Sequence, residues 1–562
     1  MSVQPKPWPE VPAETARIAK AAFRKGSLPI RIRDMLGNWC EDESFASAYG
    51  RRGRPGISPA QLAVVTVLAF TENLTDRQAA DAVRARVDWK YCLGLALDDE
   101  GFDFSVLSEF RTRLVADRME ARIFELLLQK LKDEGLLGAG ERQRTDSTHV
   151  LAAVRSLNRL ELAGEALRAA LEALAAAAPD WLATVIDPSW AERYGARIDT
   201  LHLPSSETKK RELAVSYGRN GHLLLDAVTA PGAPSWLTEL PAVQALRRIW
   251  VQQYYRSIDG RGGQEVIRRE PQDKGLPPGR ARIVSPYDLE ARYSEKRGTG
   301  WDGYKAHFSE TCHEPQADGT QPAPNLISMV ATTTATVPDV AMTESIHNQL
   351  DEYDLAPGEH VVDAGYTSAE LLLAARARGI TLIGPGLADT SVQARTGGYT
   401  AGAFDIDWQN EQATCPQGKT STSWSPGTQR GTQAIVVRFA VADCRDCPVR
   451  DRCTTAKGRG RQISLRPREI HEAVQAARAE QTTEEWARRY RIRSGVESTM
   501  RQATHVTGVR RARYKGLAKT RLEHATAATA INLIRLDAWW TGHPLDRTRT
   551  THLQRLHFTL AA

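Results

Sequence analysis

The chain has 562 residues but no run of the roughly 20 apolar residues that cross a bilayer; the longest candidate, around Ala60 to Phe70, is about half that. Its opening, Met1 to Glu10, is polar and proline-rich, with no apolar stretch that would serve as a secretion signal. These absences exclude a membrane-embedded chain and set the expectation of a cytoplasmic one. No phosphate-cradling glycine motif is present, because Gly260 to Gly263 lacks the following lysine of a P-loop, so no nucleotide cofactor is expected. No Ser-His-Asp or Cys-His arrangement has recognisable local context. What remains is an ordinary globular balance, 41% hydrophobic and 25% charged, in a chain too long for one core and suited to three or four domains.

Acid is missing from one place. Between Ala487 and Arg521 there are eleven basic residues and a single acid, Glu497, so that window carries +10 of a net +6 and the rest of the chain −4. A concentrated basic segment on a mildly acidic chain suits an anionic polymer, most simply nucleic acid; a solvated basic helix face is the plainer reading.

Residues 56–136 read as short helices. Ser58 with Pro59 starts one, and Thr75 with Gln78 forms a capping-box pattern for a second through about Arg86. Val106 to Leu114 and Met119 to Leu131 supply two more. Such a string suits a helix-turn-helix and equally any small bundle. A β-type segment follows at Arg144 to Leu151, then an Ala/Leu-rich helix over Leu157 to Ala178, and an exposed loop over Gly260 to Pro278. Strand patterning returns over Gly303 to Cys312 and Asn325 to Thr336. His360 to Asp363 and Ile380 to Gly384 flank a helix capped by Thr367 and Glu370, a βαβ-like unit. Two helices, about Glu484 to Thr504 and about Leu517 to Trp539, close the core.

Three carboxylates stand out. Asp146 lies inside a predicted strand, where Asp is disfavoured unless it has a task. Asp363 lies at the carboxyl end of a βαβ strand, where α/β sheets place ligands. Glu497 shares a helix face with Tyr490, Arg493, Arg501 and Thr504, about a quarter turn from the packing face of Ile492, Val496, Met500 and Ala503. Alone, Glu497 among arginines reads as a structural salt bridge. Together, the three acids supply the hard oxygen ligands that Mg²⁺ prefers, with Mn²⁺ as a substitute. Two such ions can activate water or a DNA 3′-hydroxyl.

The chain resembles a bacterial insertion-sequence transposase of the DDE class, most closely the insertion-sequence 1182 family. The resemblance rests on Gly53-Arg54-Pro55-Gly56-Ile57-Ser58-Pro59, Phe102-Asp103-Phe104-Ser105 with Phe110-Arg111, Asp146-Ser147-Thr148-His149-Val150 and Leu157-Asn158-Arg159. It continues through Gly303-Tyr304-Lys305, Asp363-Ala364-Gly365-Tyr366, Gly495-Val496-Glu497 and Arg510-Arg511-Ala512-Arg513-Tyr514. It implies an α/β fold with an RNase H-like catalytic core, Asp146 on the first strand, Asp363 just after the fourth and Glu497 on a late helix. Asp146 would touch both metal ions and the other two acids one each. The expected order is a helical N-terminal DNA-binding domain (1–136), the first part of the core (137–155), a helical insertion (156–280), the second part of the core (281–389), a cysteine-bearing insertion (390–465), a catalytic helix with a basic DNA-binding segment (466–540) and a tail (541–562). The family signature Tyr-x2-Arg-x3-Glu-x6-Lys is met at Tyr490, Arg493 and Glu497, but Thr504 stands where its lysine belongs. That puts the lysine's phosphate-holding role in doubt, with Arg501 a candidate DNA contact instead.

Four of the seven cysteines fall in one loop. Cys444 and Cys447 are a close pair, with Cys453 six residues on and Cys415 upstream, a spacing open to a structural zinc and equally to unmetallated cysteines. Disulfides are disfavoured in a cytoplasmic chain. Arg510, Arg511, Arg513 and Lys515 join Tyr490, Arg493 and Arg501 as expected contacts to DNA, phosphate contacts that position without reading sequence. His149 alternates to the face opposite Asp146 and reads as structural. The function expected is Mg-dependent cleavage of terminal inverted repeats in double-stranded DNA and joining of the ends to a target, by a homodimer or larger assembly. A metal-dependent nuclease without joining, or an inactive DNA-binding relative, are the alternatives.

Overall fold

In a computed structural model of the chain, Arg142–Leu151 forms the centre of a six-stranded sheet. The structure describes every residue except 1, 51, 201–202, 259–263, 271–274, 314–321, 387–388, 390, 430 and 544–562, so the tail expected over 541–562 lies almost wholly outside the described residues. The central strand pairs antiparallel with Thr299–Thr311 and parallel with Glu359–Val362. Ile327–Thr334 adds antiparallel to Thr299–Thr311, and Thr381–Ile383 adds parallel to Glu359–Val362. Counting these five core strands in chain order, the sheet runs 3-2-1-4-5, with Arg292–Lys296 folded as a hairpin onto the start of the second. Parallel neighbours need a crossover, and the helices Thr343–Glu352 and Ala369–Ala377 provide them. The second of these is capped by Ser368, whose hydroxyl accepts from the Leu371 N–H, rather than by Thr367 as expected. Thr367 instead donates its hydroxyl to Pro385 O at 2.9 Å and so ties the turn to the fifth strand's exit.

Register brings two acids together. Thr145 lies opposite Val362, and Asp146 and Asp363 are the next residue along each strand. The fourth strand was expected over His360 to Asp363; it ends one residue earlier, leaving Asp363 free to turn its carboxylate back onto the Gly365 N–H at 2.8 Å.

Two of the helices at the N-terminal end start at the side-chain caps expected for them. Ser58 accepts from Gln61 N to start Pro59–Thr71, and Thr75 and Gln78 make the reciprocal capping box of Asp76–Ala85. Pro59–Thr71 is apolar nearly all round, the mark of a helix with no solvent face, and the closing helix Leu517–Trp540 is buried from Leu522 to Leu533 although it carries Glu523, His524 and Asn532 there. They pack on each other, and the closing helix packs on Ile327–Thr334, so residues from Phe45 to Leu131 share one continuous core with Tyr304, Phe308 and Ile327 of the sheet. One polar side chain of the closing helix is fully used inside: Asn532 accepts from the Ile327 N–H at 2.7 Å and donates to its carbonyl at 2.8 Å.

Among the described residues two further cores lie outside this one, besides a small cluster of Ala19, Ile30 and Tyr91. Arg159–Ala177, Glu207–Thr229 and Pro241–Gln253 pack around Leu167, Tyr217 and Trp250. A hairpin of Tyr254–Ile258 and Gln264–Arg268 completes this unit, so the stretch expected to be an exposed loop over Gly260 to Pro278 contains a strand. The cause is Val266, which packs against Gly218 of the long helix, where a side chain would collide with it. A third, small core gathers Phe404, Val437, Phe439, Ile463 and Leu465 under the strands Ser423–Gln429, Thr432–Arg438 and Gln462–Leu465. Among the described residues no helix is long and apolar enough to cross a membrane.

One buried charge holds the sheet to the late helices. Glu310, on the second strand, is fully buried and accepts from Arg144 Nε at 2.6 Å and Arg535 Nη1 at 2.7 Å; the Thr499 hydroxyl donates to it at 2.5 Å. Burial pushes its carboxyl up, but Arg535, Arg144 and Thr499 together outweigh that and hold it below the ordinary glutamate value. Because the folded value is depressed, this contribution is complete above the ordinary carboxylate range and is lost as pH falls through the lowered value. Removing one partner of a buried ion pair costs about 3–5 kcal/mol. Glu310→Gln should therefore lower the thermal denaturation midpoint at pH 7 and flatten its fall toward acid pH. An unchanged midpoint would mean that the cluster contributes nothing.

Candidate active site

Arg144 carries the effect of Glu310 outward. Besides Glu310 it donates from Nη1 to the carbonyl of Ile492 at 2.7 Å, fixing the chain just before Glu497. There the expected single helix over Glu484 to Thr504 is broken: Glu484–Arg491 and Val496–His505 are joined by a 3-10 turn, Ile492–Gly495. Gly495 passes directly over the Arg144 guanidinium, and a Cβ there would overlap it. Val496, Thr499 and Ala503 face inward, which leaves Glu497 outward over the sheet end.

The three acids meet at one guanidinium. Arg493 Nη2 donates to Asp146 Oδ2 at 2.6 Å and lies 3.9 Å from Asp363 Oδ2, while Nη1 donates to Glu497 Oε1 at 3.2 Å. Asp146 is the most enclosed, its side chain 13% exposed against 69% for Glu497. Its other oxygen accepts from the Ser147 N–H at 2.7 Å. Burial pushes the Asp146 carboxyl above its ordinary value; Arg493 and the Ser147 N–H pull the other way, and Asp363 adds to the rise. Tyr490, one turn before Arg493, stacks on Trp486 with ring centroids 4.8 Å apart, and burial raises its phenol.

Four polar residues that sequence reasoning passed over stand around Asp146. Asp339 accepts from the Ser147 hydroxyl at 3.2 Å and from Lys305 Nζ at 2.9 Å, so a fourth carboxylate is neutralised beside the site. Tyr366 and His307 share a hydrogen bond of 2.7 Å behind it, and burial drives the imidazole down to about 4. Lys305 and Tyr366 lie within stretches quoted above but had no role there. Glu310 and Arg144 were open to the argument used for Asp146, since each is a charge inside a strand.

The other predicted contacts divide. Arg501, Arg510 and Arg511 are exposed, with no hydrogen-bond or ion-pair partner for their side chains among the described residues. Arg510 and Ala512 pair through their backbones with Leu151, the end of the strand that carries Asp146. Lys515 is exposed and lies 5.2 Å from the centroid of the Tyr287 ring. Arg513 turns the other way: it donates to Leu74 O at 2.9 Å and to Asn73 Oδ1 at 2.5 Å, and lies over Phe70, tying the basic segment to the N-terminal helices. His149 packs on Trp301, with centroids 5.5 Å apart, as a structural residue would.

Cys415, Cys444, Cys447 and Cys453 all line one cavity of about 30 Å³, with Tyr399, Phe439 and Arg461. All four are free thiols, and the Arg461 N–H donates to Cys444 Sγ at 3.3 Å. Burial raises the Cys453 thiol, and its three companions add to this against the pull of Arg461. Among the described residues no three His, Cys, Asp or Glu side chains stand close enough to hold a metal ion as they are. The carboxylate set nonetheless suits a divalent cation in its chemistry: three acids, all in hard oxygen, face a single positive group.

Residues 414–537, which include Glu497, match a family model described as a transposase DDE domain, and residues 18–113 match a transposase domain, DUF772. The chain is similar to DDE transposases. Both matches support an insertion-sequence transposase, an enzyme class that acts on DNA. No curated protein and no solved structure matches the chain.

The geometry at Gly495 makes one expectation definite. Arg144 is held at both ends, so an alanine at 495 must displace either the guanidinium or the helix, and overpacking of this kind costs about 1–3 kcal/mol. Gly495→Ala should lower the thermal midpoint and weaken any activity that depends on Glu497. A variant that melts and acts as the parent does would show that the helix is free to shift.

Proposed function

We propose that the chain is a DNA transposase of the insertion-sequence 1182 type, cutting the terminal inverted repeats of its own element and joining the freed 3′-hydroxyls to target DNA. The observation that carries this reading is the convergence of Asp146, Asp363 and Glu497 from two adjacent strand ends and a late helix onto one point. Strand order 3-2-1-4-5, with the first three strands antiparallel and the last two parallel to the first, supports reading the sheet as an RNase H-like core.

DDE transposases use a divalent metal such as Mg²⁺, and here Asp146, Asp363 and Glu497 would hold it. Bound there, the metal supplies activation of water or a 3′-hydroxyl and relief of charge on the leaving oxygen. The chain's own residues do the rest. Arg501, Arg510 and Arg511 present unpaired positive charge for duplex phosphates, Arg510 beside Leu151 at the end of the Asp146 strand, and exposed Lys515 adds to it from over the Tyr287 ring. The Trp486–Tyr490 stack stiffens the turn that leads to Arg493. Lys305 neutralises Asp339, so that the carboxylates left to share Arg493 are the three proposed to hold the metal. Two DNA ends must be held at once, which calls for a homodimer or larger assembly.

Purified protein incubated with labelled element-end DNA and Mg²⁺ should give nicked and joined products. Asp146→Asn, Asp363→Asn and Glu497→Gln should each abolish both while largely retaining binding, a fall of several orders of magnitude in rate being the usual scale for lost catalytic charge. Full activity in any of the three would overturn the triad. Cleavage without joining would identify a nuclease, and binding alone an inactive relative.

The four thiols are proposed to hold a structural zinc, drawn inward from their present positions around the cavity. The third core has few buried apolar residues, and small cores of this size are commonly stapled by a metal. Metal analysis should find about one zinc per chain, released on substituting Cys444 and Cys447 with Ser. A folded insertion without zinc would remove this role.

A further inference from the structure

Arg493 is in the wrong place for a residue that only grips DNA. Its guanidinium touches all three acids, at 2.6 Å from Asp146, 3.2 Å from Glu497 and 3.9 Å from Asp363. Its Nε is buried and has no acceptor, so the pose leaves one donor unmet. Three negative charges against one positive leave the cluster short of balance. Guanidinium does not lose its proton in a protein, so this cation can leave the carboxylates only by moving. It sits in the 3-10 turn Ile492–Gly495 between two α-helices, whose backbone Arg144 pins at Ile492, so the movement open to the guanidinium is rotation of its own long side chain.

Resting on the metal reading above, we propose that Arg493 is a built-in counter-ion. In the metal-free protein it holds the three acids together, and it competes with the divalent cation for the same oxygens. Metal loads as the guanidinium withdraws from between the carboxylates. The withdrawn cation then needs another anion, and the nearest supply is the DNA phosphates expected along Arg501, Arg510 and Arg511. Metal loading and DNA grip are thereby linked, each favouring the other. A structural salt bridge makes the opposite prediction: an arginine that only positions the acids would, when removed, weaken metal binding or leave it unchanged.

The test uses the full chain, no DNA, and Mn²⁺ alone, titrated by the loss of the free-ion paramagnetic resonance signal. Arg493→Gln should bind Mn²⁺ about tenfold more tightly than the parent or better, the scale on which an opposite charge within 4–6 Å shifts a carboxylate's equilibrium. Without metal this variant should melt lower, and it should gain more from added Mn²⁺ than the parent does. Arg493→Lys, which keeps the charge but cannot span three carboxylates with one planar fork, should shift affinity in the same direction by less. It carries the test if the glutamine variant fails to fold. Unchanged or weaker Mn²⁺ binding in the folded variants overturns the proposal. Asp146→Asn in the same titration separates the two layers: if it weakens binding while Arg493→Gln does not tighten it, only the counter-ion role falls. If Asp146→Asn leaves binding as in the parent, the three-acid metal site falls with it.

Discussion

A carboxylate with no water around it must be met by its own chain, and at Glu310 four parts of this protein meet that need together. Arg144 comes from the first strand, Thr499 from the Glu497 helix and Arg535 from the closing helix, while Glu310 itself belongs to the second strand. The cluster therefore does what apolar packing alone does poorly, which is to fix direction. Apolar contact would let the late helix slide over the sheet at little cost, whereas charged hydrogen bonds of 2.5–2.7 Å set its height and rotation. Arg144 passes the constraint on to Ile492 O, and from there Arg493 is the next residue and Glu497 little more than a turn away. Whether such a buried ionic cluster adds net stability over an apolar one is secondary to this specificity.

The candidate site follows from two registers meeting. Parallel pairing of the first and fourth strands sets Asp146 beside Asp363, and the Glu310 cluster sets Glu497 above them. Neither alone would bring 351 residues of sequence separation to a single guanidinium. The same arrangement explains why the basic segment is where it is. Arg510 and Ala512 continue the pairing of the Asp146 strand, so the exposed positive charge proposed to meet DNA phosphates begins where the acid-bearing strand ends.

Much of this was legible in the residues. Asp146 was visible as a charge in a strand, Asp363 by its place at a strand end and Glu497 as the lone acid among arginines, and Ser58-Pro59 and Thr75 with Gln78 cap helices as read. What escaped depended on distance along the chain. Arg513 has the look of its basic neighbours, yet its guanidinium is taken by Asn73 and Leu74, some 440 residues away, which no local pattern reveals. The 3-10 break at Ile492 escaped because apolar spacing continues through it; it is forced by Arg144 beneath Gly495, again a distant partner. Asp339 escaped because nothing near it in sequence announces Lys305 or Ser147. Local chemistry named the acids, and long-range pairing decided what stands around them.

If three segments far apart in sequence form one metal-binding point, a redox-active ion held there will mark all three at once. With Fe²⁺ in place of Mg²⁺, ascorbate and peroxide generate hydroxyl radicals that react close to where they form, so iron held by the protein cuts the backbone beside it above the diffuse background from free iron. Polypeptide cuts should cluster around Asp146, Asp363 and Glu497 together, suppressed by excess Mg²⁺ and by Asp146→Asn. Cuts at one of these segments without the others, or cuts that excess Mg²⁺ does not suppress, would contradict a single metal-binding point.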